Sequence, residues 1–193
     1  MDQQVNKKHT SQQILEIAQR LVQTLGFNAF SYADIAKALR VTNASLHYHF
    51  PTKADLGVGL IERYDRRIQE TLAGIDRSGA GAAEKIRAYV RIYTDVLRDD
   101  RMCMCGMLAA EFATLPKPMQ SALDRYFEQN DRWLAMVLEE GRKKGELKFS
   151  GSSAEMAQFL TGSLEGAMML ARSHGGMARF DAATRRLLAE LGA

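Results

Sequence analysis

Proline is scarce in this chain, three residues of 193, at positions 51, 116 and 118. So few breakers suit a protein built of helices. Cysteine is scarcer still, Cys103 and Cys105 alone, and two residues so placed make no disulfide framework. No uninterrupted apolar run approaches the roughly 20 residues that span a bilayer. The opening MDQQVNKKHT lacks the apolar stretch of a signal peptide, so the expectation is a cytoplasmic protein without a membrane partner. Neither sign of charge dominates: 26 Lys and Arg stand against 23 Asp and Glu, a net of +3. Residues 1–55 hold six basic and four acidic side chains, so any nucleic-acid contact must use a few well-placed cations rather than a basic flood. Strand-like alternation, internal repeats and low-complexity tracts are all missing. A glycine-rich phosphate loop, a metal-spaced cluster and a nucleophile–base pair are missing too; Cys103 with His174 has no supporting context. No catalytic residue, metal ligand or cofactor is expected, and the chain does not read as an enzyme.

What is present is helical periodicity in a chain that is 46% hydrophobic. Residues 1–9 are polar and read as an arm carrying Lys7 and Lys8. Thr10 or Ser11 is the expected cap of a first helix whose stripe is Ile14, Leu15, Ala18, Leu21, Val22 and Leu25, closed by Gly26. Ser31 reads as the next cap, with Asp34 in the first turn and Ile35, Ala36 and Leu39 inward. Arg40-Val41 turns the chain, and Thr42 caps a third helix from about Asn43 to His49, which stops before Pro51. Two short helices joined by a tight turn, with small Ala36 and Ala44 near the crossing, are a helix-turn-helix pattern. A long helix follows from about Lys53 to Ile75. The stretch SGAGA at 78–82 is a linker, and further helices are expected near 83–99, 104–114, 117–144, 153–173 and 179–191. The fold class is therefore all-α, about nine helices. An N-terminal three-helix domain at 1–53 that carries this pattern is expected, followed by a longer C-terminal helical domain at 54–193.

The run FSYADIAKALRVTNASLHYHFPTKADL, Phe30 to Leu56, carries the function. Ser31, Asp34-Ile35-Ala36, Leu39, Val41-Thr42, Leu46, His49-Phe50, Lys53 and Leu56 match a known signature, as do Ile14-Leu15, Ala18 and the Gly26-Phe27 exit of the first helix. This stretch resembles the DNA-binding signature of the TetR family of transcriptional regulators (TetR/AcrR-like). Three positions depart from it: His47 stands where tyrosine is common, Ser11 where arginine often begins helix 1, and Arg40 where a turn glycine is usual. The expected DNA-contacting set is Ser31, Thr42, Asn43, Ala44, Ser45, His47, Tyr48, His49 and Lys53. Recognition helices meet base edges with their early residues. Asn contacts adenine in two places, Ser and Thr meet several bases, and helix N-termini and a cation suit phosphate. Phe50 and Leu46 read as core, and His47 and His49 have no partners at metal-ligand spacing.

From residue 83 onward methionine and aromatics accumulate. Met is flexible and polarizable and suits pockets for varied apolar ligands. The candidate pocket is Tyr93, Met102, Cys103, Met107, Leu108, Glu111, Phe112, Trp133, Met136, Phe159 and Met168. Glu111 and Glu165 interrupt apolar neighbourhoods and are candidates to recognise a cation or cap a buried network. In RMCMCGMLAAE, Arg101 and a helix start can activate a thiol, so the alternative is a thiol-based redox or electrophile sensor using Cys103 and Cys105. The resemblance implies a homodimer through about 153–191, where Ala157, Gly162, Ser163, Gly166 and Ala167 permit close approach. It also implies a DNA-binding domain at 1–53, a ligand-binding and dimerisation domain at 54–193, and a repressor that binds a palindromic double-stranded operator and is released by a small-molecule inducer.

Overall fold

The computed structural model describes the backbone of residues 2–192 and the side chains of 10–192. Nine α-helices and no strand occur among the described residues: α1 Asp2–Leu25, α2 Tyr32–Leu39, α3 Asn43–His49, α4 Lys53–Arg77, α5 Ala82–Arg98, α6 Met104–Ala110, α7 Lys117–Lys143, α8 Ser153–Ser173 and α9 Gly176–Glu190. A single 3-10 turn, Phe112–Thr114, follows α6. Helix α1 begins at Asp2, so the expected arm is helical backbone and Thr10 and Ser11 are interior to the helix rather than its cap. The side chains of Lys7 and Lys8 lie outside the described residues. The expected helix over 104–114 is two pieces, broken at Glu111, whose carboxylate is engaged elsewhere. Helix α9 starts three residues early, because Gly175 takes a left-handed conformation (φ +88) and starts the turn itself.

The chain divides into two compact units. One runs to Asp65 and takes in Met104–Asp124; the other comprises Arg66–Cys103 and Arg125 onward. Helices α4 and α7 therefore contribute residues to both, and α6 joins the unit of the helix-turn-helix rather than the rest of 54–193. In the first unit Ile14, Ala18 and Val22 of α1, Ile35 of α2, Leu46 of α3 and Leu56 and Leu60 of α4 are buried together with Phe27 and Phe30. Gly57 on α4 leaves room for the thioether of Met119, where any side chain would collide. In the second unit α8 packs on α9 and on α5, around Ile86, Tyr89, Tyr93, Leu134, Leu138, Leu160, Leu164, Met168 and Phe180.

Candidate nucleic-acid interface and ligand domain

The reading head is built by short-range chemistry. The Ser31 amide and hydroxyl both donate to Asp34 Oδ2 at 2.7 Å, which fixes the first turn of α2 and holds the Asp34 carboxyl below its ordinary value. Arg40 ends α2 in the left-handed region (φ 57, ψ 41), the conformation in which glycine is usual, and Val41 N–H closes back on Ala36 O at 3.0 Å. Thr42 caps α3 by accepting from Ser45 N–H at 3.3 Å. Leu46 is wholly buried, as a core residue should be, whereas Phe50 is only half-buried. The opposite face of α3 is open: Thr42, Asn43, Ala44, His47 and Tyr48 are exposed, Ser45 and His49 half-buried. Tyr48 is 67% exposed, its ring edge-on to that of His49 with centroids 5.3 Å apart.

Sequence reasoning missed two of the supports. Tyr32 sends its hydroxyl to Phe50 O at 2.8 Å and Thr52 O at 2.7 Å, tying the start of α2 to the α3–α4 turn. Burial and the Asp55 charge push its phenol up to about 12. Its ring packs on His47 with centroids 4.7 Å apart, and His47 Nδ1 meets Pro51 O at 3.0 Å. Glu111 is the second. Its carboxylate accepts from Phe27 N–H at 2.7 Å and Asn28 N–H at 3.3 Å, so it holds the α1–α2 loop. The only hint of this was a carboxylate interrupting an apolar stretch; its partners lie more than 80 residues away in sequence.

Lys53 differs from expectation in the same place. Its ammonium donates to Phe27 O at 2.6 Å and Phe30 O at 2.5 Å and sits over both rings, 4.6 and 4.5 Å from their centroids. Burial lowers its pKa, with the Glu111 and Asp34 charges pulling the other way. Two of its three donors face inward, so Lys53 supports the loop before it supports any phosphate.

The expected pocket residues are divided between the two units. Tyr93, Met102, Cys103, Trp133 and Met168 are buried in the second unit. Leu108 is buried and Met107 half-buried in the first. Met136 is 64% exposed, Phe159 54% and Phe112 40%, so these three line no interior. Helical spacing marks an apolar face without saying whether the same chain covers it. Phe159 instead lies with Ser163, Leu164, Ala167, Ala183 and Leu187 along a groove between α8 and α9. Neither cysteine is in a disulfide, and both are buried, at 3% and 0% exposure. The Cys103 amide points at the Met168 sulfur, 3.2 Å away, and Arg101 is paired with Asp99.

In the second unit a polar cluster crosses the apolar core. Tyr89 and Tyr93 hydroxyls lie 3.3 Å apart, and the Tyr89 ring stacks on Trp133 at 5.7 Å and 26°. Trp133 Nε1 donates to Asp76 at 2.9 Å, and Lys85 pairs with the same carboxylate at 2.9 Å. Burial raises the Tyr89 and Tyr93 phenols well above their ordinary value and pushes Glu165 up to about 7.

The family model for bacterial regulatory proteins of the tetR family matches residues 14–57, and that for the tetracyclin repressor-like C-terminal domain matches 82–187, more than half of the chain. The chain belongs to the TetR family. The transcriptional regulator AcuR of Cereibacter sphaeroides is 30% identical over 152 residues, covering 76% of this chain and 69% of the relative. The transcriptional repressor NemR of Escherichia coli is 27% identical over 158 residues, 78% of each chain. A TetR-family regulator from Agrobacterium tumefaciens superposes with a TM-score of 0.92 at 33% identity, over 96% of this chain and 98% of that one. This TetR-family chain is thus a helix-turn-helix transcriptional regulator with the C-terminal helical domain of its family. No helix among the described residues is long and apolar enough to cross a membrane.

Proposed function

We propose that the protein is a cytoplasmic transcriptional repressor that binds a palindromic operator as a homodimer and is released when a small molecule occupies its C-terminal domain. The observation that carries the DNA half is α3: a capped helix with its apolar residue buried and Thr42, Asn43, Ala44, His47 and Tyr48 presented outward. Asn43 suits an adenine edge. Thr42 and Ser45 suit bases or phosphate, and Tyr48, His47 and His49 flank them. Ser31, its hydroxyl hydrogen already given to Asp34, contributes the α2 N-terminus rather than a donor.

The homodimer reading rests on the α8–α9 face, where Phe159, Met169 and Leu170 are each about half exposed. An apolar face of that kind on a helical domain suits a second copy. Release requires the inducer to bind the DNA-free arrangement better than the DNA-bound one. Tyr93, Met102, Cys103, Trp133 and Met168 are the residues offered to it. Thiol chemistry at Cys103 or Cys105 ranks second, because both sulfurs are enclosed. The test is fluorescence anisotropy with the DNA adjoining the protein's own gene, at two salt concentrations. Specific, salt-weakened binding that Asn43→Ala reduces tenfold or more supports the reading; equal affinity for unrelated duplex contradicts it.

A further inference from the structure

Glu165, in the middle of α8, is enclosed, and among the described residues neither carboxylate oxygen has a hydrogen-bond partner. Other acids of the same unit are answered: Asp76 by Lys85 and Trp133, Asp131 by Thr161, Glu139 by Arg142 and Ser153. The groups that face Glu165 are Tyr93, Cys103 and, at longer range, Tyr89. All three are neutral acids. Tyr93 and Cys103 lie near enough to act as weak side-chain donors that temper the effect of burial on the carboxyl, but neither closes a full hydrogen bond on it. No ion pair among the described residues reaches it. A second acceptor of the unit is also unanswered: Asn130 gives its amide to Tyr126 O at 2.7 Å, and its Oδ1 has no partner.

Buried acceptors without donors are rare in folded proteins, and an enclosed carboxylate without a cation is the costliest kind. Here the surroundings favour one kind of visitor. The faces of Tyr89, Tyr93 and Trp133 carry negative charge density and attract cations, and Met168 adds a polarizable apolar wall. A neutral donor could bond the carboxylate but would leave its charge uncompensated.

We propose that Glu165 is the recognition point for an organic cation, a protonated amine or amidine on an apolar body, which supplies the positive charge that its neighbours Tyr93 and Cys103 do not. The proposal rests on the reading of the second unit as the ligand-responsive half. The test uses the full-length protein without DNA. Benzamidine and phenethylamine are titrated calorimetrically against their neutral counterparts benzamide and 2-phenylethanol. Each cation is expected to bind roughly tenfold or more tightly than its neutral counterpart, a preference that Glu165→Gln removes. Cation affinity in the unmutated protein is expected to rise from about pH 6 to about pH 8, as the carboxyl ionises, and to stay flat in the variant. The pH profile of the unmutated protein keeps the test open even if the variant folds poorly. Equal binding of neutral and cationic probes, no binding by either cation, or a preference that survives Glu165→Gln with a flat pH profile overturns it. DNA binding is read separately, so cation binding without operator binding would spare this inference and sink the repressor reading.

Discussion

Lys53 and Glu111 grip the same loop between α1 and α2, one through its carbonyls and the other through its amides. Charge-assisted hydrogen bonds of this kind contribute roughly 1.5–3 kcal/mol each, and losing one strands a half-buried loop. Lys53→Met, which keeps the apolar stem, is expected to lower unfolding stability by about 2 kcal/mol, seen as a lower urea midpoint at unchanged slope. An unchanged midpoint would return Lys53 to the DNA surface as a free cation. Glu165 makes a second expectation at this scale. Its folded pKa of about 7 lies above the ordinary 4.5, so the fold binds the proton more tightly than the unfolded chain does. Below about pH 4.5 there is no penalty. As pH rises through 7 stability falls, by an amount on the order of 3 kcal/mol at most. Thermal melts between about pH 5 and pH 8 should show this fall, and Glu165→Gln should abolish it. A matching fall in the variant would assign the pH dependence to other groups. Neither role was legible from spacing alone, because a lysine at a helix start and a glutamate in an apolar stretch each have exposed and enclosed solutions. Only the folded partners decide.

Elements were far more legible than side-chain roles, since their signals act within four residues. Thr42 capping α3, Ser31 and Asp34 opening α2, Gly26 closing α1 and the breaks at Pro51 and Pro116 all read directly from the chain. The start of α1 did not, because a polar stretch with no breaker continues a helix as readily as it forms an arm. Spacing alone makes 104–114 one helix, since periodicity cannot foresee that Glu111 is drawn to Phe27 and Asn28. Arg40 is the strained point of the reading head, a branched-free but Cβ-bearing residue held at positive φ. The left-handed conformation costs an ordinary residue about 1–2 kcal/mol, offset in part by the extra freedom glycine has when unfolded. Arg40→Gly is therefore expected to raise stability by about 1 kcal/mol, measured as a higher melting temperature. A lower melting temperature would mean the Arg40 side chain itself stabilises the turn.

For the whole molecule, the fold class and the reading head were legible because a long ordered motif and helical spacing agree. Of the residues expected to line a pocket, only some are enclosed. Met136, Phe112 and Phe159 satisfied the apolar pattern yet lie on the surface, and a single chain's periodicity does not distinguish a core from a face kept for another copy. That ambiguity makes Phe159 informative. Phe159→Glu places a charge in the α8–α9 groove and is expected to shift the protein from dimer to monomer in analytical ultracentrifugation, with operator affinity falling at least tenfold. A dimer that survives intact would move the interface elsewhere. Two α3 helices per assembly are expected to sit in successive major grooves of one duplex. Hydroxyl-radical footprinting on the DNA beside the protein's own gene tests it most directly. Two protected patches on one face of the duplex, centred about one helical turn or a multiple of it apart, are predicted; a single patch, or none at a protein concentration that saturates dimer formation, would contradict it.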